Sequence, residues 1–364
     1  MAAEPRVLVV ATTPGPAQAL ADAVTALQTG GNQVTVLSSS DSGFGRGCAT
    51  FSRLGIANEC VEDLLPQYRP LHVSLEQAAD LLSQIAPDVL LAGSVNEPTG
   101  ELRPLEDVLC AAASQANLPN LQFVEGWDVW QPRRWGPPPA RIYLAADQYA
   151  AAMLSANGID PRNIRHVGYS PSLLMPARLN AQERANGRAT LGISGHERLI
   201  AFFGQVTPDN PTTLGWTAAA LGPTDRLVFQ PHPRDSRSVD DLLRNCPPGS
   251  AVLSRLRTDQ LIQAADVCVT HFSLVSFATS ALGLPTVLTL LAKDVPHVRS
   301  VLGAYPTTLL KGTTECYDCL GLRQSLANPR PPEQSFVDKV RHSAATFSDN
   351  LATVVLEAMA DRPT

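Results

Sequence analysis

Charge, lysine and aromatic side chains are scarce in this sequence. Of its 364 residues, 17% are charged and 5% are aromatic, and the net charge is -6 at pH 7. Lysine occurs only at positions 293, 311 and 339, so 25 of the 28 basic residues are arginine. No basic block is present, which excludes binding of a nucleic-acid backbone as the main function. Enrichment in arginine, alanine and proline is typical of a GC-rich bacterial genome.

Long apolar segments are also missing. No apolar run approaches the ~20 residues that span a bilayer, and the run Val7–Ala11 is too short for a secretion signal. The seven cysteines, an odd number spread along the chain, fit reduced thiols. We therefore expect a cytoplasmic protein without a transmembrane segment, and peripheral contact with a membrane stays open.

The motifs of several enzyme classes do not occur. There is no GxGxxG, P-loop, GxSxG or HExxH sequence, which makes a dehydrogenase the least favoured reading. Cys316 and Cys319 form a lone CxxC, which we interpret as two small residues near a turn rather than a zinc or redox site. We predict no metal site.

What the sequence does contain is a regular alternation of strands and helices. Valine-rich runs such as Arg6–Ala11 alternate with helical segments such as Ala17–Leu27, which is typical of the α/β class with parallel sheets. A second series begins at Arg198–Phe203, so we predict two doubly wound domains that face a cleft. The predicted parts are an N-terminal domain 1–175, a linker 176–195, a second domain 196–335 and a C-terminal helix 336–364 that returns to the first domain.

His232 and Arg234 are the first candidates for chemistry in the second half. Ligands bind beyond the carboxyl ends of strands in such sheets, and both residues follow a predicted strand in the sequence Gln-Pro-His-Pro-Arg. The histidine can donate a hydrogen bond to a phosphate oxygen, and the arginine can neutralise its charge. The alternative is a stiff loop whose histidine caps a neighbouring element.

Two further turns in the second half follow predicted strands. Thr270, His271 and Ser273 lead into a predicted helix, whose N-terminus favours an anion. Ser273 could instead act only as the N-cap of that helix. Gly204 and Gln205 end another strand, where glycine either lets a ligand approach the backbone or forms an ordinary turn.

In the first half, the candidates are carboxylates and hydroxyls after strands. Thr12 and Thr13 occupy the turn that corresponds to Gly204. Glu97, Glu125 and Asp128 also lie just beyond predicted strands. A carboxylate in such a loop could act as a base towards an acceptor hydroxyl, and Glu125 is the best candidate. Loop carboxylates are, however, more often solvated than catalytic.

The order of these motifs resembles the donor-nucleotide domain of GT-B glycosyltransferases and their relatives. These relatives include the non-hydrolysing UDP-N-acetylglucosamine 2-epimerases, the CDP-glycerol glycerophosphotransferases and the bacterial sialyltransferases. The resemblance covers roughly residues 195–310. His232-Pro233 and Ser273 are similar to two motifs that meet the nucleotide phosphate. Glu125-Gly126 is similar to the end of an acidic-acidic-Gly motif whose carboxylate is the base, although Val124 occupies the first acidic position.

One position departs from the pattern of these relatives. Many of them carry a glutamate that binds the ribose hydroxyls, where this sequence has Phe277 and Ala278. No carboxylate occurs anywhere in Ser273–Leu284. The departure puts the usual ribose contact in doubt, and it weakens the epimerase reading.

The resemblance implies a metal-independent GT-B glycosyltransferase, as used in polysaccharide biosynthesis. Its only cofactor-like partner would be the nucleotide-sugar co-substrate, held by the second domain, while the first domain holds a small-molecule or glycan acceptor. Two alternatives stay open: a nucleotide-sugar epimerase or hydrolase, and a non-catalytic subunit that binds nucleotide or glycan. The sequence leaves open the base, the sugar, the acceptor, the stereochemical outcome and the oligomeric state.

Overall fold

The computed structural model divides the chain into two compact units. The first unit comprises Met1–Leu173 and His342–Thr364, and the second comprises Leu174–Arg341. Each unit has its own sheet and its own hydrophobic core. The residues that the structure describes are 4–40, 46–65, 68, 72–95, 103–127, 140–174, 178–232, 235–291 and 293–360.

The first unit is built on a parallel sheet of seven strands. The strands are β1 (Arg6–Val10), β2 (Gln33–Ser38), β3 (Glu59–Cys60), β4 (Val89–Gly93), β5 (Asn120–Val124), β6 (Ile142–Ala145) and β7 (Ile164–His166). The helices that connect them are α1 (Pro14–Thr29), α2 (Gly47–Arg53), α3 (Val61–Leu64), α4 (Leu75–Ile85), α5 (Leu105–Gln115) and α6 (Gln148–Ala156). The strand order is β3-β2-β1-β4-β5-β6-β7, and all neighbours are parallel.

The second unit is built on a parallel sheet of six strands. The strands are β8 (Arg198–Phe203), β9 (Asp225–Gln230), β10 (Ala251–Leu253), β11 (Val267–Thr270), β12 (Thr286–Thr289) and β13 (Thr314–Cys316). The helices are α7 (Ala181–Thr190), α8 (Asn210–Ala219), α9 (Val239–Leu243), α10 (Thr258–Ala264), α11 (Leu274–Ala281), α12 (Pro296–Leu302), α13 (Pro306–Leu309) and α14 (Cys319–Ala327). The terminal helix α15 (Gln334–Ala360) begins in the second unit, and from His342 onwards it belongs to the first. The strand order is β10-β9-β8-β11-β12-β13.

Burial on both faces explains the apolar strand sequences. Every residue of β4 and of β5 is buried, as expected for central strands covered by helices. The terminal helix α15 contributes Phe347, Leu351 and Val355 to the core of the first unit. Their spacing of four residues places them on one face of the helix. Helix α15 therefore packs into the same hydrophobic core as β1.

Both sheets have the strand order of a doubly wound fold. In each, the chain starts at a central strand, builds outwards, and then crosses to the other side, between β1 and β4 in the first unit and between β8 and β11 in the second. This confirms the predicted α/β class with two Rossmann-like sheets. The points where the order reverses are the places where such sheets bind ligands.

The structure also contains short elements that the sequence does not predict. Strand β3 has two residues and β13 has three, which is too short to show a period. By contrast, helix α7 agrees with the short helix that the polar run Asn180–Arg188 predicts within the linker 176–195. Only Gly187 of α7 is buried, so no apolar stripe marks it. No helix among the described residues combines the length and hydropathy needed to cross a membrane.

Candidate functional site

Strand register in the second unit brings three of the predicted turns together. Phe203, the last residue of β8, is paired with Gln230 on one side and with Thr270 on the other. The turns that follow these three strands therefore lie next to one another at one edge of the sheet, where the strand order reverses. These turns carry Gly204 and Gln205, His232, and Thr270 to Ser273.

The side chain of His271 is buried and has a structural role. It is 0% exposed, with Nδ1 3.0 Å from the carbonyl oxygen of Thr289 and Nε2 3.0 Å from the Thr213 hydroxyl. Because a carbonyl oxygen can only accept, Nδ1 donates and Nε2 accepts. Burial lowers the pKa of His271 to about 4, so the ring is neutral near pH 7. Both ring nitrogens are engaged in these hydrogen bonds. A ligand would therefore have to contact the backbone of His271.

Thr270 is likewise engaged in joining the strand ends. Its hydroxyl donates to the carbonyl oxygen of Phe203 at 2.9 Å, and its own carbonyl accepts from the Thr289 hydroxyl at 3.2 Å. The side chain is fully buried. Thr270 therefore fixes the edge at the reversal point, and its predicted contact with a nucleotide would have to use the backbone.

Ser273 is the N-cap of α11. Its Oγ accepts a hydrogen bond from the backbone N–H of Val275 at 3.2 Å, and the residue is half-buried. A hydroxyl that accepts can still donate its own hydrogen. The capping role and the predicted phosphate contact are therefore compatible in one side chain.

The turn at Gly204 and Gln205 is held by a residue that the sequence analysis missed. Asn210, fully buried at the start of α8, accepts from the backbone N–H of Gln205 at 3.1 Å and donates back to its carbonyl oxygen. A Cβ atom on Gly204 would lie 3.2 Å from both Asn210 Nδ2 and Phe229 Cε2. Close packing within the protein thus explains the glycine without a ligand. An asparagine seven residues beyond a strand is a weak sequence signal.

Two basic side chains near this edge, those of Arg237 and Lys293, were not predicted from the sequence. Arg237 contacts Asp235 through Nε at 2.8 Å and donates to the carbonyl oxygen of Thr207 at 2.7 Å. This ion pair lowers the pKa of Asp235. Lys293 lies 2.9 Å from Asp209, and its side chain is 64% exposed. Lys293 follows β12 by four residues, so the rule that directs attention to the carboxyl ends of strands could have found it.

His232 is half-buried directly after β9. Its carbonyl oxygen accepts from the backbone N–H of Asp235 at 2.8 Å. Arg234, predicted to neutralise phosphate charge, lies outside the described residues. The positions Phe277 and Ala278, where relatives carry the ribose-binding glutamate, are both buried, and Phe277 packs edge-on against Phe336 at 5.8 Å.

In the first unit, the turn after β1 is held by a buried carboxylate. The backbone N–H and the hydroxyl of Thr12 both donate to Glu106 Oε1, at 2.7 and 2.8 Å. Glu106 is 0% exposed, and burial raises its pKa to about 7 in spite of these hydrogen bonds. The side chain of Thr12 therefore holds the turn, and its predicted place on the acceptor side stays a prediction. Thr13 is half-buried at the N-cap of α1, and its hydroxyl does not cap the helix.

Glu125 lies against the N-terminus of α1. A Cβ atom on Gly15 would be 2.6 Å from Glu125 Oε1, so the carboxylate occupies the space that this glycine leaves. Two residues further on, the indole nitrogen of Trp127 lies 3.0 and 3.1 Å from the two carboxylate oxygens of Asp147. Asp147 in turn caps α6. Glu125 is thus positioned by the contact of its carboxylate with Gly15 and by the anchoring of Trp127 that follows it.

A second buried acid, which no pattern in the sequence indicates, lies beside Glu106. Asp107 is 1% exposed, and its Oδ1 accepts from Gln122 Nε2 at 2.8 Å. Both acids lie in the first turn of α5, where the helix dipole favours negative charge. The remaining predicted acceptor-side residues, Glu97 and Asp128, lie outside the described residues.

Other features of the described residues lie away from these edges. A surface hollow of about 460 Å³ is lined by Arg184, Arg188, Glu197 and Asp266, at the opposite end of the second sheet. Cys316 of the CxxC motif lies 3.1 Å from the Ser325 hydroxyl. Within the described part of the chain, no cluster of three or more histidine, cysteine or acidic residues could hold a metal ion.

The chain is similar over nearly its whole length to several solved structures. One is a UDP-N-acetylglucosamine 2-epimerase from Neisseria meningitidis bound to UDP-N-acetylglucosamine, with 13% identity, a TM-score of 0.65, and 98% of this chain and 99% of that chain covered. Another is Anabaena HepE in complex with UDP, with 13% identity, a TM-score of 0.64 and coverages of 98% and 100%. A third is the glycotransferase of kitacinnamycin, with 15% identity, a TM-score of 0.58 and coverages of 99% and 100%.

These similarities define the fold of the chain. It has the GT-B type of architecture, which confirms the fold that the resemblance in the sequence implies. At these identities the likeness shows the fold and not the reaction. No protein-family model matches the sequence, and no curated protein matches it.

Proposed function

We propose that this chain transfers a sugar from a nucleotide-activated donor to an acceptor hydroxyl. The observation that carries the proposal is the meeting of three polar turns at the reversal point of the second sheet, after β8, β9 and β11. In this proposal, the second unit holds the donor phosphates through the backbone at Gly204 and Thr270, the Ser273 hydroxyl and His232. Arg234 would add positive charge there.

The chemistry follows from these assignments. Glu125 removes the proton of the acceptor hydroxyl, whose oxygen attacks the anomeric carbon of the donor. The bond between that carbon and the phosphate oxygen breaks, and the nucleotide leaves with the negative charge. Fixed hydrogen-bond donors lower the barrier by stabilising this charge as it develops. The proposal requires no metal ion.

The nucleotide that binds is the first quantity to measure. We expect one of UDP, CMP, CDP, GDP, TDP and ADP to raise the melting temperature of the full chain, because a ligand that binds only the folded state stabilises it. UDP is the leading candidate, since two structural neighbours are bound to UDP-N-acetylglucosamine and to UDP. No shift with any of the six would contradict the assignment of a nucleotide site.

His232→Ala tests the predicted phosphate contact. The loss of a hydrogen bond to a charged group should weaken nucleotide binding by about 1.5–3 kcal/mol, roughly 10- to 100-fold in Kd by calorimetric titration. His196→Ala is the matched control, because His196 is an exposed histidine of the same unit that precedes β8. Equal affinities of the two variants would remove His232 from the site.

Epimerisation is the second candidate, favoured by the structural neighbours that are UDP-N-acetylglucosamine 2-epimerases. Incubation of the chain with UDP-N-acetylglucosamine alone separates the two reactions. Formation of the C2 epimer or of free sugar without an acceptor would favour the second candidate. Sugar transfer that depends on an added acceptor supports the first. Nucleotide binding without any turnover over a panel of donors and acceptors would favour a non-catalytic subunit.

A further inference from the structure

Two cysteines of the first unit bring their sulfur atoms together. The Sγ atoms of Cys48, in α2, and Cys60, in β3, are 2.7 Å apart, although the two residues are 12 positions apart in the sequence. A disulfide bond is ~2.05 Å long. The distance between the two sulfur atoms is thus shorter than an ordinary non-bonded contact and only a little longer than a disulfide bond. A small movement would join them.

Secondary structure on both sides holds this pair. Cys60 is paired with Ser38 in the register of β3 on β2. The backbone N–H of Cys48, in the first turn of α2, donates to the carbonyl oxygen of Ser39 at 3.2 Å. Both cysteines are thus attached to the end of β2, at its last residue Ser38 and at the following Ser39. Backbone hydrogen bonds of the fold therefore hold the two cysteines close to each other.

Access to the two thiols differs. Cys48 is 8% exposed, and burial together with the neighbouring Cys60 sulfur raises its pKa to about 12. Cys60 is only half-buried. The more accessible Cys60 is therefore the thiol that a dissolved reagent meets first, and Cys48 is placed to resolve the product.

We propose that Cys48 and Cys60 form a reversible disulfide by exchange with a low-molecular-weight disulfide of the glutathione type. The Cys60 thiolate attacks one sulfur of the reagent and releases the first thiolate. The Cys48 sulfur then attacks Cys60 and releases the second, while its proton passes to that leaving group. The protein loses two hydrogen atoms as it is oxidised, and the reagent is reduced to two thiols.

The bond would act on the carboxyl edge of the first sheet. Helix α2 begins at Gly47, whose N–H donates to the carbonyl oxygen of Thr12 at 3.0 Å. A Cβ atom on Gly47 would lie 2.4 Å from the Ala11 carbonyl oxygen, so α2 packs tightly on the turn after β1. Oxidation therefore links α2 to β3 beside the turn that Glu106 holds. This inference does not depend on the proposed sugar transfer.

The test is thiol counting and peptide mapping on the full chain. Reduced protein should show seven free thiols in denaturant, and protein treated with oxidised glutathione should show two fewer. Cleavage after Arg46 and Arg53 places the two cysteines in different peptides. We expect these peptides to migrate as one linked species that separates on reduction.

Two variants make the result specific. Cys60→Ser should keep all its remaining thiols under the same treatment, and Cys246→Ser should still lose two. Cys246 is half-buried in the second unit, so it matches Cys60 in exposure. A thiol count that does not fall, a stable glutathione adduct on Cys60, or linkage through any other cysteine would each overturn the proposal.

Discussion

At the scale of single residues, Gly15 and Glu125 form the contact with the clearest consequence. Glycine at this position, in the first turn of α1, leaves room for the Glu125 carboxylate. The neighbouring prolines, Pro14 and Pro16, already suit the first turn of a helix. The space beside Gly15 is thus filled by a side chain that is 110 residues away in sequence.

Gly15→Ala should displace the Glu125 carboxylate while the fold is kept. The added Cβ would lie 2.6 Å from Oε1, at the end of a side chain that can rotate away. If Glu125 is the base, we expect turnover of the cognate donor to fall by about 10- to 100-fold, as for other small misplacements of a reacting group. Nucleotide affinity should not change, because the nucleotide is assigned to the second unit.

Gly30→Ala is the control for this substitution. Gly30 lies at the other end of α1, and its Cβ would come no closer than 3.4 Å to another atom. Both variants should melt near the temperature of the unaltered chain. Full turnover in Gly15→Ala, or an equal loss in both variants, would argue against Glu125 as the base.

At the scale of elements, Asp266 joins helix α7 to the second sheet. Its carboxylate contacts Arg184, lies 2.9 Å from Arg188, and accepts from the backbone N–H of Leu199 at 2.7 Å. The side chain of Arg188 is only 11% exposed. A helix with almost no buried side chains is therefore fixed by charge-assisted hydrogen bonds.

Asp266→Ala should destabilise the second unit by about 2–4 kcal/mol, because the Arg188 charge would stay buried without its partner. Urea unfolding followed by circular dichroism measures this change. Asp160→Ala removes a surface pair instead, since Arg162 is 89% exposed, and it should leave stability nearly unchanged. Similar effects of the two substitutions would contradict this role of Asp266.

The elements themselves were predictable to different degrees. Strand β8 follows from a continuous apolar run, and its predicted bounds, Arg198–Phe203, agree with the structure. Helix α2 and strand β3 could not be predicted, because neither is long enough to show an apolar period. Their place in the fold is determined by contacts with β2 that only the assembled sheet creates.

At the scale of the whole molecule, two buried groups make the units respond to pH in opposite directions. Glu106 ionises near 4.5 in an unfolded chain and near 7 in the folded one, so its contribution to stability is present at low pH and is lost as the pH rises through this range. His271 is protonated below about 6.5 when unfolded and below about 4 when folded, so its contribution is lost as the pH falls.

Acidification from pH 7 to pH 5 should therefore stabilise the first unit relative to the second. Each group can contribute up to about 3 kcal/mol, from a pKa difference of about 2.5 units. Hydrogen exchange resolved along the chain, measured at several pH values, distinguishes the two units. Glu106→Gln keeps an oxygen that Thr12 can bond, and it should remove the pH dependence of the first unit between pH 4.5 and 7. A dependence that persists in this variant would assign it to another group.

The candidate sites were predictable only in part. The edges where they lie follow from strand order, so the turns at Gly204, His232 and Thr270 could be named before the structure was known. The groups that fix those turns could not. Glu106 is 94 residues from Thr12, and Thr213 is 58 residues from His271. Such contacts depend on packing between distant elements, which no local pattern records.

The helix α15 bears on the order in which the units can form during synthesis. The core of the first unit needs Phe347, Leu351 and Val355, which leave the ribosome after all of the second unit has been made. Domains usually fold in the order of their synthesis. Here the second unit is the first that can be complete, and the nascent first unit must wait with part of its apolar surface uncovered. During that interval the chain is most exposed to aggregation and most dependent on chaperones.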